Sequence, residues 1–321
     1  VAIKKQENIH MKKIIIILLF FAFKANSQTP DKEIYLFSYF KNNGQDGLHL
    51  AYSEDGLKWE ALKCDSSFLK PMVSKDRLMR DPCIIKGADG LYHMVWTDSW
   101  TDRGIGYASS KDLIHWSEQV QLMVMDKEPT AKNCWAPEIT YDDNNKTYML
   151  YWATTIPNRF AQADTSAEGK RNNHRIYYQT TKDFKTYSET KLLFDPGFSA
   201  IDATIVKYGK GFLMFFKNET LAPVEKNLRM AFSKKLTGPY GSVTPKITGD
   251  YWAEGPTTLK IGGRWFVYFD KYREHKYGVI TSTDLKNWTD MSEQLKMPEG
   301  IRHGTILKIS LQELSKLQQV K

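Results

Sequence analysis

Arg80-Asp81-Pro82-Cys83-Ile84-Ile85 decides the fold, because four later stretches repeat its layout: Trp135-Ala136-Pro137-Glu138-Ile139, Ile201-Asp202-Ala203-Thr204-Ile205, Ala253-Glu254-Gly255-Pro256-Thr257 and Arg302-His303-Gly304-Thr305-Ile306. Aligned on their second positions they read Asp81, Ala136, Asp202, Glu254 and His303, at intervals of 55, 66, 52 and 49 residues. Their mean of about 55 residues lies just above the range typical of propeller blades and far above that of the helical solenoids.

Each stretch is followed by further landmarks in a fixed order. After Asp81 come Leu91–Trp96, Gly104–Ser110 and Asp112–Trp116. The order returns as Thr147–Trp152, Arg175–Thr180 and Asp183–Tyr187, as Gly211–Phe216, Leu228–Ser233 and Leu236–Tyr240, and as Arg264–Phe269, Tyr277–Ser282 and Asp284–Trp288. These runs are rich in β-branched and aromatic residues and bounded by turn formers, so they predict strands, four to a unit. Near the N-terminus Tyr35–Phe40, Leu48–Tyr52 and Ser53–Trp59 repeat the last three landmarks with no inner-strand stretch before them. The missing stretch is at the far end, around His303. An all-β, five-bladed propeller is therefore expected, closed by pairing the N-terminal strands with a C-terminal inner strand so that no edge is left open. The tail from Leu311 to Lys321 reads as a short surface helix.

Residues 1–27 read differently. A polar extension precedes Met11, then Lys12, Lys13 and an apolar run from Ile14 to Phe23. Ten apolar residues span about 15 Å as a helix, half of a bilayer's hydrocarbon core. With Ala25 and Ser27 before Gln28, the segment predicts a cleavable signal peptide starting at Met11, a secreted or periplasmic protein with no membrane segment after cleavage, and a single catalytic domain over 28–321. Losing five lysines and one glutamate takes the formal charge from +8 to about +4, with the lysines scattered through turns, which argues against a nucleic-acid partner. Three cysteines, Cys64, Cys83 and Cys134, have no CxxC spacing and suggest no zinc site. Cys83 and Cys134 read as buried thiols, with a bridge from Cys64 to either as the alternative. Residues 156–173 form a long polar insertion, read either as a disordered flap or as a lip over a binding site.

In a propeller the inner strands surround one axis, so equivalent positions near one end converge on a cup. Asp81, Asp202, Glu254 and His303 would face one another there. Two like charges about 6 Å apart cost roughly 3 kcal/mol at an effective dielectric of 20, enough to hold one acid protonated near neutral pH. One protonated and one ionised carboxyl is the pairing that glycosidic cleavage needs. Trp135 and Trp252 are expected beside the cup as faces for a sugar to stack on, with Trp96, Trp100 and Trp152 near the inner strands and Trp59, Trp116 and Trp288 packing between blades.

The ordered set Arg80-Asp81-Pro82, Trp135-Ala136-Pro137-Glu138, Ile201-Asp202, Glu254-Gly255-Pro256 and His303-Gly304-Thr305 resembles glycoside hydrolase family 43 over the whole mature chain. The resemblance implies a five-bladed propeller among α-L-arabinofuranosidases, β-xylosidases, arabinanases and galactan-cleaving enzymes, acting on an oligo- or polysaccharide. It implies Asp81 as general base, Glu254 as general acid, Asp202 as the acid that orients the pair and tunes its pKa, and inversion at the anomeric carbon. His303 matches an axial histidine that holds a water or, in some relatives, a calcium ion through waters; no cofactor is otherwise required. No arginine follows His303, so Arg80, Arg302 and Arg103 are the candidates for gripping the sugar. The Asn-Asp-Pro-Asn nucleophile motif of fructan-cleaving propellers is absent. A carbohydrate-binding propeller without catalysis is the alternative, disfavoured by retention of all three acids.

Overall fold

A computed structural model of the 321-residue chain describes residues 1, 33–161 and 172–320. Every described element belongs to the compact unit Glu33–Lys321. The signal peptide expected over 1–27 lies outside the described residues apart from Val1, and so does most of the 156–173 insertion. No helix among the described residues is long and apolar enough to cross a membrane.

Five antiparallel sheets follow one another along the chain. The first joins β1 (Ile34–Lys41), β2 (His49–Ser53) and β3 (Glu60–Ala61), and the second runs β4 (Arg80–Lys86), β5 (Tyr92–Thr97), β6 (Ile105–Ser110), β7 (Val120–Leu122). The third is β8 (Trp135–Asp142), β9 (Thr147–Thr155), β10 (His174–Thr181), β11 (Lys191–Phe194), and the fourth is β12 (Ala200–Tyr208), β13 (Gly211–Asn218), β14 (Asn227–Ser233). The fifth is β15 (Glu254–Ile261), β16 (Arg264–Lys271), β17 (Lys276–Ser282), β18 (Thr289–Asp290). The last strand, β19 (Ile301–Ile309), pairs with β1 from Ile34↔Ile309 to Lys41↔Ile301. Its sheet order is β19-β1-β2-β3, so strands from the two ends of the chain share one blade of the propeller.

Every blade is covered on both faces by its neighbours, which is why its strands are apolar runs and not alternating ones. Ile34–Phe40 is buried throughout, and so is Tyr148–Ala153. The core falls into clusters between successive blades: Met94 and Trp96 pack under Leu36 and Leu50, Leu150 and Trp152 against Val95, and Phe215 against Val267 and Phe269.

The fourth landmark of each repeat is a turn and not the strand predicted for it. Ser53, Ser110, Thr181 and Ser282 each accept from the backbone N–H three residues on at 2.9 Å. Asp55, Asp112, Asp183 and Asp284 each accept two further N–H groups through one oxygen. The side chains thus supply bonds that a strand ladder would otherwise supply, and the short outer strands begin only after the turn. In the fourth blade Lys235 stands where the others carry this aspartate. That blade has three strands, and Leu236–Tyr240 is not one of them.

The tail forms α1 (Leu311–Gln318), opened by a capping box between Ser310 and Glu313. It is less peripheral than a surface helix. Leu314 and Leu317 are buried against the first two blades, and Glu313 accepts from Lys86 and Tyr92. All three cysteines are free, with Cys83 and Cys134 buried and Cys64 exposed, so neither alternative bridge forms.

Candidate active site

Each inner strand carries a β-bulge at the same place. The register slips by one between Arg80 and Cys83, Trp135 and Glu138, Ile201 and Thr204, Glu254 and Thr257, and Ile301 and Gly304. The first bulged residue is left-handed in four strands: Asp81 at φ 53°, Ala136 at 46°, Asp202 at 55° and Gly255 at 58°. Bulges re-aim side chains and are enriched beside active sites. Here they turn one position of every strand into the cup.

The bulges correct the alignment made from sequence. Asp81, Ala136 and Asp202 are equivalent, but Glu254 is one residue early, on the pre-bulge position of Arg80, and His303 is one residue late, on that of Pro82. Arg302 therefore takes the place of Asp81 in the fifth inner strand. Glu254 and His303 reach the axial cluster from either side of the bulge.

Cross-strand from the pre-bulge residues lies a second ring that the motif reading missed: Lys41, Thr97, Ala153, Lys217 and Asp270. A signal was present, since each directly follows the second landmark of its repeat, and in Lys41, Lys217 and Asp270 a charge ends an apolar run. Thr97 donates to Asp81 Oδ2 at 2.7 Å and accepts from the Ala136 N–H at 2.8 Å. Lys217 Nζ lies between Glu254 at 2.9 Å and Glu219 at 2.7 Å, and it stands over the Tyr272 ring. Asp270 accepts from Arg302 Nε at 2.5 Å, and the same guanidinium reaches Glu254 at 3.5 Å.

His303 Nδ1 lies 3.3 Å from Asp81 Oδ1. Burial disfavours charge on both, yet their mutual attraction wins. The Asp81 carboxyl is held below the usual range by His303, Arg80 and Thr97, and the His303 ring is raised to about 9 by Asp81, Asp202 and Glu138. Asp202 is the opposite case. Burial pushes its carboxyl up to about 6 against the pull of His303, while its Oδ2 accepts from the Gly255 N–H at 3.0 Å. Below it Glu138, also missed as a site residue, is pushed to about 7 by burial. One Glu138 oxygen accepts from Tyr151 at 2.8 Å and the other has no partner among the described residues.

Aromatic and cationic groups wall the cup. The Arg80 guanidinium lies 4.5 Å from both the Phe40 and Trp100 rings. Trp135 donates to the Trp100 carbonyl and packs edge-on to its ring at 5.7 Å. Trp252 lies 5.8 Å from Tyr272, with Arg273 4.3 Å over its ring. Arg103 is turned to the Asp126 carbonyl. Trp96 and Trp152 are wholly buried and wall nothing. Among the described residues no group of three or more His, Cys, Asp or Glu is arranged to hold a metal ion. The calcium ion that the family resemblance allows beside His303 would need waters for most of its shell, because the imidazole offers no oxygen to a hard cation.

A family profile described as a probable glycosyl hydrolase domain, related to family 43, matches residues 31–315. Over 218 residues the chain is 24% identical to an alpha-L-arabinofuranosidase of Bifidobacterium longum subsp. longum, a match covering 57% of this chain and 20% of that protein. It thus spans about a fifth of that relative's length. Among solved structures it is similar to an alpha-L-arabinofuranosidase from Lactobacillus brevis, with a TM-score of 0.54 and 19% identity over 67% of this chain and 72% of that one. It is also similar to an exo-beta-1,3-galactanase from Phanerochaete chrysosporium, with a TM-score of 0.51 and 12% identity over 69% and 52%. At such identities the structural likeness speaks for the fold.

Proposed function

The chain belongs to the glycosyl hydrolases related to family 43, and we propose that it is an inverting glycosidase that releases α-L-arabinofuranosyl units from plant-type oligo- or polysaccharides, with β-D-xylosyl or galactosyl units next in order. The observation that carries this reading is the Asp81–His303 pair, which keeps one carboxylate ionised inside a cup whose other acids are not all ionised. A buried carboxylate fixed in that state is what activation of water requires.

In the proposed cycle Asp81 takes a proton from a water as its oxygen attacks the anomeric carbon. The bond from that carbon to the leaving oxygen breaks, and Glu254 delivers a proton to the departing oxygen. Exchange with solvent then restores both groups. Inversion needs the two carboxyls about 6.5–9.5 Å apart, with room for the water between them. Asp202, bonded to the Gly255 N–H beside Glu254, orients the acid. Arg80, Arg302, Trp135 and Trp252 are positioned to grip the sugar.

Lys217 at 2.9 Å and Arg302 at 3.5 Å hold the Glu254 carboxyl in place. The signal peptide expected over 1–27 would export the protein to the periplasm or medium, in keeping with a polymeric substrate.

The test is hydrolysis of aryl α-L-arabinofuranoside, β-D-xyloside, β-D-galactoside and α-L-fucoside, with Asp81→Asn alongside. Turnover of one sugar, abolished in the variant, supports the proposal. Silence across the panel and on arabinan, xylan and galactan, by folded protein, would favour a binding propeller.

A further inference from the structure

A cleft of about 640 Å³ opens beside Trp252 on the same rim as the cup, and apart from Trp252 none of its lining residues enters the proposed catalytic cycle. One wall comes from the β13–β14 connection and the start of β14, with Val224, Glu225, Asn227 and Arg229. The other comes from the segment before β15 and ends in Tyr251 and Trp252. Its place on the cup's rim follows from register. Asn218 pairs with Asn227 at the loop end of the β13–β14 hairpin, one residue from Lys217, and Trp252 stands two residues before Glu254.

The cleft is built before any ligand arrives. The Ala253 N–H donates to the Lys226 carbonyl and the Ile247 N–H to the Leu228 carbonyl, tying the walls together. Glu225 accepts from Asn227 at 2.6 Å and from Arg229 at 2.8 Å, which fixes a carboxylate, an amide and a guanidinium as one array. Tyr251 is pinned by stacking on Phe269 at 5.8 Å and by donating to Asp290 at 3.0 Å. Fixed hydrogen-bonding groups facing aromatic rings form the surface that a sugar's hydroxyls and apolar face require. Among the described lining residues the charges are paired, Glu225 with Arg229 and Lys246 with Asp250, which favours a neutral sugar.

We propose that this cleft is the leaving-group subsite, which holds a neutral pentose or hexose unit on the far side of the scissile bond from the cup. The inference rests on the glycosidase reading. It adds that the substrate is at least a disaccharide whose second sugar is recognised. A continuous line of charge joins the cleft to the proposed acid: Lys226 lies 5.6 Å from the Trp252 ring and binds Glu219, which shares Lys217 with Glu254. Occupancy of the cleft thus sets the leaving oxygen near Glu254, and its binding energy is expressed in kcat/KM for oligosaccharides and not for aryl glycosides.

The test compares two substrates of the sugar that the wild type releases: its nitrophenyl glycoside and its unmodified trisaccharide. Val224→Trp fills the cleft from its exposed rim, and Arg229→Gln removes one arm of the array. The ratio of trisaccharide to aryl-glycoside kcat/KM should fall about tenfold in each variant. A ratio unchanged in both, with the wild type active on both substrates, overturns the subsite and leaves the glycosidase reading standing. A wild type inert on every glycoside and oligosaccharide of arabinose, xylose and galactose overturns both.

Discussion

His303 Nδ1 and Asp81 Oδ1 stand 3.3 Å apart at the propeller axis, on opposite sides of their bulges, and each holds the other charged. The ring titrates at about 9, above its ordinary value of 6.5, and the carboxyl below its ordinary 3.8. The histidine's contribution to stability is full below pH 6.5 and is lost as pH rises through about 9. The aspartate's is present above pH 3.8 and is lost on acidification. His303→Gln should therefore cost most stability between about pH 4 and 6.5, with the difference from wild type shrinking towards pH 9. Urea unfolding across that range measures it. Activity of the wild type should decline on an alkaline limb near pH 9 that the variant lacks.

Glu254→Gln removes the proposed proton donor while preserving shape. Hydrolysis of substrates with poor leaving groups should fall by about 10²–10⁴, and that of dinitrophenyl glycosides by far less. Asp202→Asn should depress both classes alike. A Brønsted plot over phenols of graded acidity distinguishes the two acids, and equal loss on both classes for Glu254→Gln would assign the proton to another group.

Lys217 is buried between Glu219 and Glu254, and although burial opposes its charge their carboxylates raise its pKa well above the ordinary value. Lys217→Met leaves two carboxylates without their shared cation. The variant should lose about 3–5 kcal/mol of stability at neutral pH, measured by denaturant titration.

Gly255 occupies the left-handed bulge position, and a Cβ there would come 2.4 Å from the His303 ring. Backbone strain alone makes Gly255→Ala cost about 1–2 kcal/mol. Displacement of His303 should lower kcat about a hundredfold as well, because small misplacements at a reacting centre are costly. Steady-state kinetics on protein shown folded by circular dichroism separates the two effects.

The blade pattern was legible because each repeat buries its strands on both faces, giving apolar runs such as Tyr148–Ala153 between turn residues. The acids were legible as a set but not by position. A five-residue motif tolerates a slip of one, and the bulges at Asp81, Asp202 and Gly255 make that slip decisive for where Glu254 and His303 lie. The Asp55, Asp112, Asp183 and Asp284 turns resembled strands because an aromatic residue follows each, yet their carboxylates bond the backbone locally. Lys217 and Asp270 escaped notice because they belong to no motif. Only pairing across the sheet brings them to Ile201 and Glu254.

The direct test of the account is the configuration of the sugar first released from whichever aryl glycoside is cleaved, followed by proton NMR before mutarotation. If Asp81 activates water opposite the leaving group, the first anomer observed is inverted relative to the substrate, and Asp81→Asn releases none. Initial release of the retained anomer would mean a carboxylate attacks the sugar itself, and would contradict the role given to Asp81.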